Sequence, residues 1–179
     1  VLKNSEKGII PALSLALKSA KGTFITRMDA DDMMPADRLT IMSKALRDAA
    51  PKTVVTGLVK YFSDSEVSEG YQLYERWINE NILSKNPWAA VYRECIIASP
   101  CWMCRTEELK AMGSFDNLEY PEDYDLVFQW YKNAFAIKTL NQTLLHWREH
   151  PSRTSRNSDN YAQEAFFKLK VKRFVENEL

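Results

Sequence analysis

Gly22-Thr23-Phe24-Ile25-Thr26-Arg27-Met28-Asp29-Ala30-Asp31-Asp32 is the stretch on which the reading of this chain turns. Thr23 to Met28 is rich in β-branched and aromatic residues, which predicts a strand. The strand runs directly into three carboxylates within four residues. Upstream, Ile9, Leu13, Ala16, Leu17 and Ala20 recur at three- and four-residue spacing. That spacing predicts a helix over 8–21, stopped by Gly22. A helix–strand unit thus delivers an acidic cluster to the carboxyl end of a strand. In open α/β sheets that edge is where ligands bind.

Downstream, Pro35 opens a predicted helix to about residue 50, with Leu39, Met42, Ala45 and Leu46 as its apolar face. Residues 52–62 read as a second strand and 63–70 as a polar, acidic loop. Residues 71–97 read as helical but broken at Asn86-Pro87, where proline removes a donor and restricts its neighbour. Residues 99–105 suit a strand or loop, and 106–112 a short helix stopped by Gly113. Another helix is predicted over 121–133, with Pro121 in the first turn, where its missing N–H costs nothing. Residues 134–140 and 143–148 read as two strands turned at Asn141-Gln142. A basic loop covers 149–160, and 161–179 reads as an amphipathic helix carrying Phe166, Leu169 and Phe174.

Composition narrows the classes. A length of 179 residues fits one domain and suffices for a real core. Apolar residues make up 45%, which argues against disorder. Lys plus Arg and Asp plus Glu both number 24, so the net charge is zero. A nucleic-acid binder working through a broad basic face is disfavoured. Glycine is scarce: five residues, about 3%, against roughly 7% on average. No G-x-x-x-x-G-K-[ST] and no G-x-G-x-x-G is present, so a glycine loop does not cradle phosphate here. Three cysteines make no disulfide framework, and no apolar run approaches a membrane span. Together these features suggest a cytoplasmic protein, peripheral at most to the inner face of a membrane.

Three clusters carry chemistry. In Asp29-Ala30-Asp31-Asp32 the carboxylates repel one another, and a hard divalent cation with oxygen ligands is one compensation. A solvated loop with Asp31 or Asp32 capping the next helix is the other. Pro121-Glu122-Asp123-Tyr124-Asp125 opens a helix. There the acids either complement the helix dipole or supply a general base that takes the proton of an acceptor hydroxyl. His146-Trp147-Arg148-Glu149-His150-Pro151-Ser152-Arg153-Thr154-Ser155-Arg156 holds both histidines of the chain. It offers metal ligands and guanidiniums for phosphate oxygens, or simply a charged surface loop. Cys101-Trp102-Met103-Cys104 has C-x-x-C spacing, but Pro100 and its Trp-Met filling argue for packing rather than redox or zinc chemistry. The aromatic residues between 71 and 92 read as core, or as a wall on which a sugar stacks.

The segment 22–32, with Pro35 and Asp37-Arg38-Leu39 behind it, strongly resembles the DxD segment of family 2 glycosyltransferases with the GT-A fold. Pro121-Glu122-Asp123-Tyr124-Asp125-Leu126 looks like that family's ED motif, in the right order and at a fitting separation. The resemblance implies an α/β fold, a mixed sheet flanked by helices forming part of a GT-A domain. The boundaries it suggests are 1–160 for the catalytic domain and 161–179 for a helix packed on it. It also implies inverting transfer of a sugar from a nucleotide-diphosphate donor to a carbohydrate or lipid-linked acceptor. By similarity Asp31 would bind Mg²⁺ or Mn²⁺, with His150 as a further metal contact. Asp29 and Asp32 would help hold the donor, and Arg148, Arg153 and Arg156 would face its diphosphate. Asp123 would be the base with Glu122 beside it, and Trp102 and Tyr124 would lie on the acceptor side.

Two departures stand out. The resemblance places Val1 near the family's third strand, so the first nucleotide-binding strands are expected to be missing. A chain without them need not be active alone. Their absence would leave the 23–28 strand at a bare sheet edge that invites pairing and a homodimer. The Q-x-x-R-W motif of processive synthases is also absent, which favours single sugar addition in bacterial surface polysaccharide synthesis. The competing classes are a non-catalytic module that binds an acceptor or partner, and a two-metal nucleotidyltransferase using the same acids.

Overall fold

A computed structural model describes residues 1–116, 120–153, 156 and 158–178. Among them a four-stranded sheet has the order β1-β3-β2-β4. Its strands are β1 (Phe24–Thr26), β2 (Thr53–Phe62), β3 (Trp102–Arg105) and β4 (Ala136–Arg148). β3 runs antiparallel to both β1 and β2, while β2 and β4 are parallel. So β1, β2 and β4 share one direction and bring their carboxyl ends to one edge. The helices are α1 (Ile9–Ser19), α2 (Arg38–Arg47), α3 (Glu69–Leu83), α4 (Thr106–Ala111), α5 (Glu122–Lys132) and α6 (Gln163–Glu178), with 3₁₀ turns at Pro87–Ala90 and Asp159–Tyr161.

Strand alternation divides the core into two layers. Val54 of β2 and Trp102 and Cys104 of β3 pack with Ile10, Leu17, Leu109, Tyr124, Phe128, Trp130 and Leu169. Val55 and Met103 point the other way, against Met42, Leu46, Ile78 and Leu144. Helices therefore cover both faces, with α1, α4, α5 and α6 on one and α2 and α3 on the other. The mixed sheet flanked by helices is as the sequence predicts. The three cysteines are free and buried, as expected for packing residues.

Two predicted elements differ. Residues 136–148 form one strand rather than a hairpin turned at Asn141-Gln142. Both halves pair with β2; the register shift after Gly57 passes over Asn141 and Gln142, and the one after Leu58 passes over Leu144. Asn-Gln lacks the glycine that a tight hairpin turn prefers, so nothing local forces a reversal. Gly57 makes room for the bulge: a Cβ there would lie 2.5 Å from Leu144 Cδ1 and 3.0 Å from the Gln142 carbonyl. The second difference lies beyond the break predicted at Asn86-Pro87: α3 ends at Leu83, near that break, but no α-helix resumes towards residue 97. After the turn at Pro87–Ala90, the buried residues Val91, Cys95, Ile96 and Ile97 follow without regular structure. Apolar spacing alone does not separate a buried connection from a helix.

Candidate active site

The acidic cluster forms a turn at the end of β1, with the Asp32 amide donating to the Asp29 carbonyl at 3.3 Å. Beneath it lies Arg38, fully buried at the start of α2. Its guanidinium donates to Thr26 Oγ1 at 3.1 Å, the Arg27 carbonyl at 3.3 Å and the Pro100 carbonyl at 2.6 Å. One side chain thereby pins the strand end, the turn and the approach to β3. From the other side, Met33 and His146 exchange backbone hydrogen bonds of 3.0 and 2.8 Å. The Arg148 amide donates to Asp32 Oδ1 at 2.8 Å, and Arg148 Nε to the Asp31 carbonyl at 2.9 Å. The end of β4 thus holds the turn in place.

Each acid of the turn has its own environment. Asp29 is paired with Arg27, with Nε at 2.7 Å from Oδ1. Asp31 Oδ2 stands 2.8 Å from His150 Nε2. That hydrogen bond holds the Asp31 carboxyl below its ordinary range. Asp32 is more enclosed, and burial pushes its carboxyl up to about 6 despite the Arg148 amide. No third His, Cys, Asp or Glu joins Asp31 and His150 to make a larger metal-binding group among the described residues.

The second cluster opens α5. Glu122 is buried, and both its oxygens are engaged: Arg27 Nη1 donates to Oε1 at 3.0 Å and the Tyr161 hydroxyl to Oε2 at 2.5 Å. Asp123 faces the cavity and accepts the Tyr124 amide at 2.8 Å. Burial and the neighbouring Glu122 push its carboxyl up to about 7. Asp125, one turn's face away, is buried and paired with Arg173 of α6, Nη2 to Oδ1 at 2.5 Å, and with Gln129.

The two clusters meet across one cavity of about 560 Å³ at the shared carboxyl edge of the sheet. Asp29, Ala30 and Asp31 line one side, and Glu122 and Asp123 the other. Tyr61 at the end of β2, Trp147 at the end of β4, and Tyr71 and Tyr74 of α3 form an aromatic wall. Tyr61 stacks on Trp147 with centroids 5.0 Å apart and planes at 11°. Arg153 lies against this wall, its guanidinium 5.1 Å from the Trp147 ring and 5.4 Å from that of Tyr71.

Of the residues singled out from sequence, Asp29, Asp31, Glu122, Asp123 and Arg153 line this cavity, and His150 touches it through Asp31. Asp32 and Arg148 stand behind the turn and brace it. Arg156 pairs with Glu149 and lies 5.3 Å from the Tyr71 ring. Trp102 and Tyr124, expected on the acceptor side, are instead core. Trp102 packs edge-on to Trp130, and Tyr124 is fully buried with its hydroxyl donating to the Val91 carbonyl at 2.6 Å. Tyr124 follows Asp123 by 100° around the helix, which turns it from the cavity into the core. Thr154 and Ser155 fall outside the described residues. Arg27 and Arg38 stand in the quoted motif without a role read from sequence, and Tyr161 carries none either. Arg27 alone offered a local signal, as the one cation inside the acidic stretch.

Residues 1–112 match the family described as Glycosyl transferase family 2. The chain belongs to that family. Among solved structures, S. aureus TarS 1-349 shares the fold at 20% identity with a TM-score of 0.52. The match covers 91% of this chain and 50% of that one, so the chain spans about half the length of the solved structure. No curated protein matches. The mixed sheet and its flanking helices are thus a GT-A-like glycosyltransferase fold. In this family 2 chain both predicted motifs fall at the carboxyl edge of the sheet, one at the end of β1 and one at the start of α5. The family match ends at residue 112, so the α5 cluster and everything after it rest on the geometry above.

Proposed function

We propose that this family 2 domain carries out inverting transfer of a sugar from a nucleotide-diphosphate donor to the hydroxyl of a carbohydrate or lipid-linked acceptor. The observation that carries this reading is the single cavity onto which Asp31 and Asp123 both open from different elements. One carboxylate is paired with an imidazole and kept ionised. The other has its proton affinity raised to about 7, as suits a general base near neutral pH.

Asp31 and His150 would hold a Mg²⁺ or Mn²⁺. Two protein donors suit such an ion, which is commonly bound through one or two side chains together with substrate phosphates. Bound there, it would neutralise charge on a diphosphate leaving group. Arg153, whose charge is felt by Asp31 and Asp32 and which lines the same cavity, would meet the same negative charge. Asp123 accepts the proton of the acceptor hydroxyl as its oxygen bonds to the anomeric carbon and the bond to the nucleoside diphosphate breaks. Glu122, engaged by Arg27 and Tyr161, orients this end of α5 rather than taking the proton. Arg148 and Asp32 support the turn, and Arg156 stays at the rim through Glu149.

The domain's place would be cytoplasmic and peripheral to the inner membrane face, in bacterial surface polysaccharide synthesis. No helix among the described residues is long and apolar enough to cross a membrane. β1 pairs on one side only among the described residues, which supports a homodimer through its other edge. The decisive test is product analysis with a panel of nucleotide sugars and Mn²⁺. Released nucleoside diphosphate is expected, whereas released pyrophosphate means nucleotidyl transfer. Donor binding without turnover in the full-length protein means a binding module.

A further inference from the structure

Arg27 touches neither donor nor acceptor in the proposed transfer, yet it joins the two acidic clusters. Its side chain is 11% exposed. Nε and Nη2 donate to the two Asp29 oxygens at 2.7 and 3.3 Å, while Nη1 donates to Glu122 Oε1 at 3.0 Å. Glu122 Oε2 accepts from Tyr161, whose ring packs edge-on to Tyr120. A continuous run of hydrogen bonds therefore crosses the back of the cavity, Asp29–Arg27–Glu122–Tyr161. It links the end of β1, the start of α5 and the segment that leads into α6.

We propose that Arg27, with Tyr161 as its second support, is the positioning residue that holds both Glu122 oxygens engaged and away from the reaction. Asp123 is thereby left as the one carboxylate of α5 free to face an acceptor. The inference rests on Asp123 being the base of the proposed transfer. Without Arg27, Glu122 and Asp123 would be adjacent anions with no cation between them, and one would take up a proton. Among the described residues, Arg27 after β1, Glu122 beside it, Tyr161, Tyr74 of α3 and Cys95 of the connection before β3 act on Asp123, and Glu94 and Arg153 line the same cavity. Arg27 is the cation whose charge is felt at Asp123. Its charge lowers the proton affinity of Asp123, and Glu122 raises it. Removing one or the other should therefore move Asp123 in opposite directions, which a purely structural role does not produce.

The test is ¹³C NMR titration of the carboxyl carbons in the 179-residue chain, which requires no turnover. In Arg27→Met the upper titration of the Glu122–Asp123 pair is expected to rise by about one pH unit or more. Arg27→Lys should restore most of that shift. In Glu122→Gln the remaining Asp123 titration should fall. Tyr161→Phe, which removes a donor to Glu122, should raise the pair by less than Arg27→Met. Should Arg27→Met not fold, Glu122→Gln and Tyr161→Phe decide. An Asp123 that titrates at its original pH in Glu122→Gln, or a pair unmoved in Tyr161→Phe and Arg27→Lys alike, overturns the proposal. Turnover separates this inference from the reading beneath it. If Asp123→Asn keeps full transfer, the assignment of the base fails. If Asp123→Asn abolishes transfer while the titrations stay put, only the role of Arg27 fails.

Discussion

The two acidic clusters of this chain have similar composition, yet Asp31 of one and Asp123 of the other, which share a cavity, are tuned in opposite directions. Asp29 to Asp32 sit on a turn that is braced from outside, by Arg148 and by the end of β4. Asp31 remains 45% exposed and is held below its ordinary range by His150. Glu122 to Asp125 are instead built into the base of a helix. Two of the three acids are almost fully buried and engaged by Arg27 and Arg173. The third, Asp123, is left without a direct cation and is pushed up to about 7. A carboxylate near water with a partner stays ionised and can hold a cation. A carboxylate with like charge beside it and little water holds its proton longer and can exchange it near neutral pH.

The sharpest way to break this contrast is Asp123→Asn. Transfer should fall about 10²- to 10⁴-fold while donor binding, followed by calorimetry, stays unchanged. Lost donor binding would erase the division of labour. Next is Arg173→Ala, which leaves Asp125 buried without its guanidinium. Urea unfolding should report a loss of about 3 kcal/mol. Arg148→Ala removes a more exposed brace of the first cluster and should cost under about 1 kcal/mol in the same assay. Equal losses would mean that the two clusters are not differently buried. Asp31→Ala should weaken Mn²⁺-dependent binding of a nucleotide sugar by about tenfold or more, with metal-free binding unchanged.

The finest test uses pH. Asp123 has a folded value above its unfolded one. Its ionisation therefore opposes folding, and stability falls as pH rises from the ordinary aspartate range through about 7. Asp31 is lowered, so its contribution is present above the ordinary range and is lost as pH falls through its folded value. Asp123→Asn should accordingly stabilise the fold more at pH 8 than at pH 5, and Asp31→Asn should destabilise it at neutral pH. Denaturation midpoints at the two pH values would show either sign reversed. Transfer by the intact enzyme should fall as pH drops below about 7, as Asp123 takes its proton.

Local sequence was enough for β1, α1, α2, α5 and the placement of both clusters, because each is a short segment whose spacing and flanking residues agree. It misled at 134–148, where two halves of one strand look like a hairpin until β2 is seen to pair with both. Trp102 and Tyr124 were misplaced because a residue's type says that it favours burial or contact, not which side of a strand or helix meets the core. Tyr161 carried no signal at all. Its hydroxyl matters only because the chain returns from α5 and β4 to the back of the cavity.

Composition and order alone determined that this chain holds no glycine cradle for phosphate, that an acidic turn ends its first strand, and that a second acidic group opens a later helix. Those are properties of neighbours along the chain, set by local propensity and charge. Tertiary structure alone decided that the two groups face one cavity, that Arg27 lies between them, and which carboxylates are engaged and which is left free. Proton affinity depends on burial and on charges a few ångströms away, and residues 95 positions apart become neighbours only when the sheet and helices pack.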